Sequence, residues 1–267
     1  MVNKMINKNS ALILAMVVGI SGCATVADLT GNDTATLNMN AAQDYQTMVD
    51  SAKSQKALDT TSSTYKRVNA VFLKLKPYAD QMNNTGHAFD WKLSVFKSNE
   101  LNAFVMHGGK VVFYSGIVEQ LKLTDAEIAA IMGHEMTHAL EEHSKNKAGA
   151  TALTNIAVNI GKSYAGSKLG EQGADVIDLG SRYGIGLPYS RNLESKADRG
   201  GLMLMAKAGY NPEAAVSVWK KMNQIDSSNN SALIKFASTH PSNNDRIADL
   251  QKSMAEAKAL YAASTKK

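Results

Sequence analysis

The chain has 267 residues, a formal charge of +5 and one cysteine, Cys23. A surplus this small, with no block of Lys or Arg, excludes nucleic acid as the partner and describes an ordinary solvated surface. One cysteine also excludes an internal disulfide framework, so a hydrophobic core, a metal or both must hold the fold.

Residues 1–10 carry Lys4 and Lys8 and no acid, and residues 11–20 form an unbroken apolar run. That run is too short to span a bilayer and suits the core of a signal peptide. Ile20-Ser21-Gly22-Cys23 follows, and this order of branched, small, small and cysteine resembles the lipobox of bacterial lipoproteins. Residues 1–22 are therefore expected to be a removable lipoprotein signal peptide, with lipidation of Cys23 anchoring the mature chain. Its loss leaves 27 basic against 24 acidic residues. Residues 23–58, rich in Asn, Thr, Ala, Asp and Gln, read as a lipidated N-terminus and tether, with one helical turn near Tyr45 and Met48. The folded domain is expected over 59–262 and a tail over 263–267.

Tyr65, Val68, Phe72, Leu75 and Tyr78 recur at helical steps, and Lys76-Pro77 is expected to kink or end that helix. Trp91, Leu93 and Val95 then alternate with Lys92, Ser94 and Phe96, as in a half-buried strand. Two more strands are expected at Ala103–Met106 and 111–114, joined by Gly108-Gly109, whose freedom at positive φ suits a tight hairpin. The expected fold class is mainly α with a small antiparallel β-sheet (α+β). Thr124-Asp125-Ala126-Glu127 reads as a capping box opening a helix that runs through His143. Residues 146–187, interrupted by Asn155, Asn159, Lys162 and Lys168, read as soluble helices or a flap and not as a membrane span. Helices follow over 187–207, 212–222 and 244–261.

The chemistry centres on His134-Glu135-Met136-Thr137-His138. Residues four apart share a helix face, so both imidazoles can reach one Zn²⁺ at about 2.0–2.1 Å. Glu135 is rotated by about a quarter turn and stands beside the metal, where it can take a proton from water and pass it to a leaving amine. Gly133 leaves room for a second helix to pack closely. A catalytic zinc needs a third protein ligand, and Glu194 supplies it from a later helix. Asp198, four residues on, can accept the second ring N–H of a ligand histidine. His143, five after His138, is rotated off the ligand face and reads as a support or surface residue. His107 at the hairpin is expected to be exposed.

H-E-x-x-H at 134–138, E-S-K-A-D at 194–198 and Thr239-His240-Pro241 together resemble the zinc metallopeptidases related to HtpX and the CAAX prenyl proteases. Asn102-Ala103-Phe104, Tyr189-Ser190-Arg191 and Ala208-Gly209-Tyr210-Asn211-Pro212 extend the likeness over residues 60 to 255, nearest to its short periplasmic lipoprotein branch. The resemblance implies a zincin-like fold, one zinc per chain on His134, His138 and Glu194, and Glu135 as catalytic base. It implies a substrate strand added at the edge formed by Asn102, Ala103 and Phe104. It also implies His240 near the metal, either donating to the oxyanion or closing the open position and keeping the enzyme latent. The implied function is a membrane-tethered endopeptidase cutting unfolded or misassembled envelope proteins. The alternative is a zinc-binding chaperone or assembly factor for outer-membrane proteins with latent protease activity. Ala24 is not the aspartate that retains lipoproteins at an inner membrane, which favours an outer membrane, facing the periplasm.

Overall fold

The computed structural model describes residues 22–152, 190–226, 240 and 245–266. Residues 1–21, 153–189, Thr239 and Pro241 lie outside them, so most of the expected signal peptide and of the Gly/Ala-rich stretch does too. The helices are α1 (Cys23–Leu29), α2 (Thr34–Ser54), α3 (Ser63–Met82), α4 (Ser115–Gln120), α5 (Asp125–Leu140), α6 (through 143–152), α7 (Arg191–Lys207), α8 (Glu213–Asp226) and α9 (Asp245–Ser264). The strands are β1 (Leu58–Asp59), β2 (Lys92–Phe96), β3 (Ala103–Met106) and β4 (Lys110–Tyr114). Among the described residues, no helix is long and apolar enough to cross a membrane.

The sheet order is β1-β2-β4-β3, and the sheet is mixed, not antiparallel as expected. β3 and β4 form the expected antiparallel hairpin, with Gly108 at φ 67° and Gly109 at φ 81°. The chain between β2 and β3 passes over the slot that β4 then fills, so β4 runs parallel to β2, pairing Val95 with Phe113. β3 is left at one edge.

Both sheet faces are covered. Val95, Val105, Val111 and Phe113 join the main core with α3 and α5, while Phe96, Met106 and Val112 pack against α2. The second layer corrects the reading of residues 34–54 as a spacer with one helical turn. Asp33 caps α2 by accepting from the Thr36 amide, and Leu37, Ala41, Tyr45, Val49 and Ala52 form its buried stripe. The Tyr45 hydroxyl and Ser94 Oγ lie 2.7 Å apart beneath it.

Two helix boundaries also differ. α3 does not end at Pro77 but continues to Met82. A proline there removes one bond to the Leu73 carbonyl, on a solvent-facing side where Leu73 is 58 % exposed and water can replace it. α5 opens on the expected capping box between Thr124 and Glu127 but stops at Leu140. Glu142 adopts φ 48°, and its carboxylate accepts from Thr34 Oγ1 on α2. A new helix therefore starts at His143.

Candidate active site

α5 is buried over all of Glu127–Leu140, so its motif lies in the centre of the domain and not on a surface face. α7 crosses it at two glycines. A Cβ on Gly201 would stand 2.5 Å from the His134 amide nitrogen, and one on Gly133 would stand 2.8 Å from the Gly201 carbonyl oxygen. This approach brings Glu194 and Asp198, one helical turn apart on α7, over His134 and His138. Ser190 fixes the start of α7 by accepting from the Leu193 amide.

Four buried donors converge: His134, His138, Glu194 and His240, with one ligand atom from each within 4.8 Å of the others. His134 Nε2 lies 3.1 Å from His138 Nε2 and 3.2 Å from His240 Nδ1. Glu194 Oε1 lies 3.3 Å from His138 Nε2 and 3.2 Å from His240 Nδ1. A tetrahedral zinc with ligands at about 2.0–2.1 Å has donor-to-donor edges of about 3.3–3.4 Å, so the set has the size of a zinc shell. The proton arrangement agrees. His134 Nδ1 donates to Asp198 Oδ1 at 2.9 Å, which leaves Nε2 as a bare lone pair aimed at two other nitrogens. Lone pairs so arranged repel unless a cation sits between them.

The expected residues thus meet. Asp198 lies against the second ring nitrogen of His134, where it can orient that imidazole. His143 does the same for His138, with the two Nδ1 atoms 2.9 Å apart. Burial pushes the His143 pKa down to about 4, so it is a neutral acceptor for the His138 N–H. The break at Glu142 swings it into that position, which a continuous helix would not.

Glu135 is 1 % exposed, and burial raises its pKa despite His240 and His134 nearby. Its Oε1 has no hydrogen-bond partner and lies 3.4 Å from His240 Nε2. His240 is buried too, which disfavours its charge, but the carboxylates of Glu135 and Glu194 outweigh that and raise its pKa. In Asp198, burial is likewise outweighed by the Arg246 guanidinium, and the pKa is lowered.

Arg246 was not found from sequence. It donates through Nε and Nη2 to the two oxygens of Asp198 at 2.7 and 2.6 Å, and its Nη1 lies 2.7 Å from Glu194 Oε2. A weak signal existed: a cation in the first turn of α9 opposes the helix dipole and needs a partner elsewhere. His107 corrects an expectation, being only 5 % exposed.

β3, which carries Ala103 and Phe104 and directly follows Asn102, lies beside α5. Asn102 is buried with its Oδ1 unpartnered, and its carbonyl accepts from the Tyr114 amide. Ala103 is buried and Phe104 half-buried against Tyr114.

The chain is 36 % identical over 167 residues to the mitochondrial metalloendopeptidase OMA1 of Schizosaccharomyces pombe, covering 62 % of this chain and 48 % of that protein. It thus spans about half the length of that relative, and a third of the Arabidopsis thaliana OMA1. It is 24 % identical over 253 residues to the metalloprotease LoiP of Escherichia coli, covering 92 % of this chain and 97 % of LoiP. A match to the beta-barrel assembly-enhancing protease of Escherichia coli, 24 % identical, covers 68 % of this chain and 37 % of that protein. The sequence model of peptidase family M48 matches residues 62–254, the span holding every donor described above, and this chain belongs to that family.

Proposed function

We propose that this protein is a zinc metalloendopeptidase that hydrolyses peptide bonds in extended polypeptide segments of the cell envelope. One observation carries the reading: a zinc-sized shell of four buried donors lies beside an equally buried Glu135 whose Oε1 has no hydrogen-bond partner. A purely structural metal site needs the ligands but not that carboxylate. Zinc held by His134, His138 and Glu194 would supply Lewis acidity toward the scissile carbonyl and the attacking water. Glu135, with its raised pKa, takes the water's proton as the oxygen bonds to the carbonyl carbon. It then delivers that proton to the amine as the C–N bond breaks. β3, which ends the sheet among the described residues, would offer its outer backbone edge to an extended substrate, and Asn102, Ala103 and Phe104 would carry that pairing.

A second reading is favoured by His240. Its Nδ1, within 3.2 Å of both His134 and Glu194, occupies the corner of the tetrahedron that water would need. In that state the enzyme is latent, consistent with a chaperone or assembly role alongside cleavage. Moved outward, the same imidazole could instead donate to the oxyanion.

Lipidation of Cys23, removal of residues 1–22 and residence at an outer membrane facing the periplasm complete the proposal. The lipobox-like sequence supports it, and the near full-length match to the metalloprotease LoiP supports the short branch of the family. The test is cleavage of unfolded casein by wild type and Glu135→Gln, with bound zinc quantified in both. One zinc in each and cleavage only by the wild type supports the reading. If neither cuts, His240→Ala should release activity; silence there too would sink the endopeptidase proposal.

A further inference from the structure

The packed domain begins at Cys23, with no spacer. α1 starts on that residue, and its Val26 and Ala27 are buried. The Cys23 carbonyl rests so closely on Gly149 of α6 that any Cβ there would collide with it. Lys145, on the same helix and 7 % exposed, pairs with Asp28 at 2.7 Å and donates to Thr34 at 3.1 Å. Thr34 in turn donates to Glu142 at 2.5 Å. Residues 23–34 are thus clasped onto the turn and helix that follow the histidine motif, and His143 at the head of that helix touches His138.

This docking fixes a distance. Gly149 and His143 are six residues apart, or about 9 Å along a helix. The His143 and His138 rings are 4.8 Å apart. Adding the Cys23–Gly149 contact, the length of the His143 side chain and the reach of one imidazole to the donor cluster puts the site within about 25 Å of Cys23. A free spacer of 35 residues would instead have a root-mean-square reach of about 30–35 Å and could extend beyond 100 Å.

We propose that the anchored domain lies directly against the lipid surface and cuts only chain segments held within about 25 Å of it. The inference rests on the lipid-anchor reading above. Whatever tilt the domain adopts, its cleft cannot rise further from the headgroups than its distance from the anchored residue. Leu29, 72 % exposed on the same short helix, adds an apolar side chain to that lipid-facing end. The substrates selected would be unfolded stretches at the membrane surface, not chains free in the surrounding aqueous space.

The test uses the full lipidated protein in phosphatidylethanolamine/phosphatidylglycerol vesicles. One extended peptide is anchored to the same vesicles on rigid spacers that hold its cut site about 10 or about 60 Å up, a polyproline spacer adding about 3.1 Å per residue. The wild type should cut the low site at least ten times faster than the high one. A flexible Gly/Ser insert of about thirty residues between Cys23 and Ala24, which gives up the Cys23 contact but keeps Val26, Ala27 and the Asp28–Lys145 pair, should abolish that ratio. Gly149→Val, which undocks α1, should reduce it. Equal cutting at both heights by the wild type, or an unchanged ratio with the insert, overturns the proposal while leaving the anchor intact. Vesicle flotation and intact mass separate the two claims: a wild type that carries no lipid and floats no better than Cys23→Ser overturns the anchor reading, and this proposal with it.

Discussion

Arg246 holds Asp198 at two points, through Nε at 2.7 Å and Nη2 at 2.6 Å, while its third nitrogen lies 2.7 Å from Glu194. One planar cation thereby braces both Glu194, the proposed third metal ligand, and the carboxylate beside His134. Its other face lies 3.6 Å over the Trp219 ring, so the fork has little freedom. The ion pair is made with Glu194 Oε2, while Oε1 lies 3.3 Å from His138 Nε2 on the side of the donor cluster. Removal of such a supporting group costs about 10–100-fold in metal affinity. Arg246→Ala is expected to lose zinc affinity by that amount, measured by competition with a chelating dye. Arg246→Lys keeps the charge but not the fork and should fall between. A folded Arg246→Ala with wild-type affinity would refute the role.

The crossing of α5 and α7 has no room for a methyl group. A Cβ at Gly201 would meet backbone atoms of His134, not a flexible side chain, so the helices themselves must separate. Overpacking of this kind costs about 1–3 kcal/mol. Gly201→Ala should lower stability in urea by that amount and weaken zinc binding with it, because the ligands sit on opposite helices. Loss of stability without loss of affinity would mean the site does not depend on the crossing.

What the sequence made legible was local. The H-E-x-x-H spacing, the E-x-x-x-D pair, the capping box at Thr124 and the Gly-Gly hairpin each depend on residues within a few positions. What it hid depends on distant partners. Glu142 takes a positive φ while bound to Thr34, 108 residues away, and nothing in Leu140-Glu141-Glu142-His143 announces that break. The parallel pairing of β2 with β4 follows from where β3 lies, which strand periodicity does not encode. The buried stripe of α2 contains Ala41 and Ala52, and its Asn- and Gln-rich surroundings have a spacer's composition. Arg246 reads as one more surface cation until α9 is folded against α7.

Packing of α2 gives a direct prediction. Tyr45 is 5 % exposed and its hydroxyl meets buried Ser94 at 2.7 Å. Tyr45→Ala should destabilise the domain by about 3–5 kcal/mol, as for other large aromatic truncations, and leave Ser94 Oγ without that partner. Tyr45→Phe should cost about 1 kcal/mol. In a spacer, neither change would move the unfolding midpoint. Thermal unfolding of the two variants beside the wild type decides between a structural layer and a tether.

His107 predicts an acid-sensitive step unconnected with the metal ligands. It is 5 % exposed and its Nε2 has no hydrogen-bond partner. Burial, helped by the charge of Lys145, lowers its pKa to about 4. An unfolded histidine titrates near about 6.5, so between those values the unfolded chain holds a proton that the fold excludes. Stability therefore falls as the pH drops from about 7 toward 4, by on the order of 3 kcal/mol at most from this group. His107→Gln carries no such proton. Its melting temperature should fall less than that of the wild type between pH 7.5 and 5, with the metal-site histidines contributing equally to both proteins. Parallel curves would mean that His107 is solvated and shares its proton freely with water.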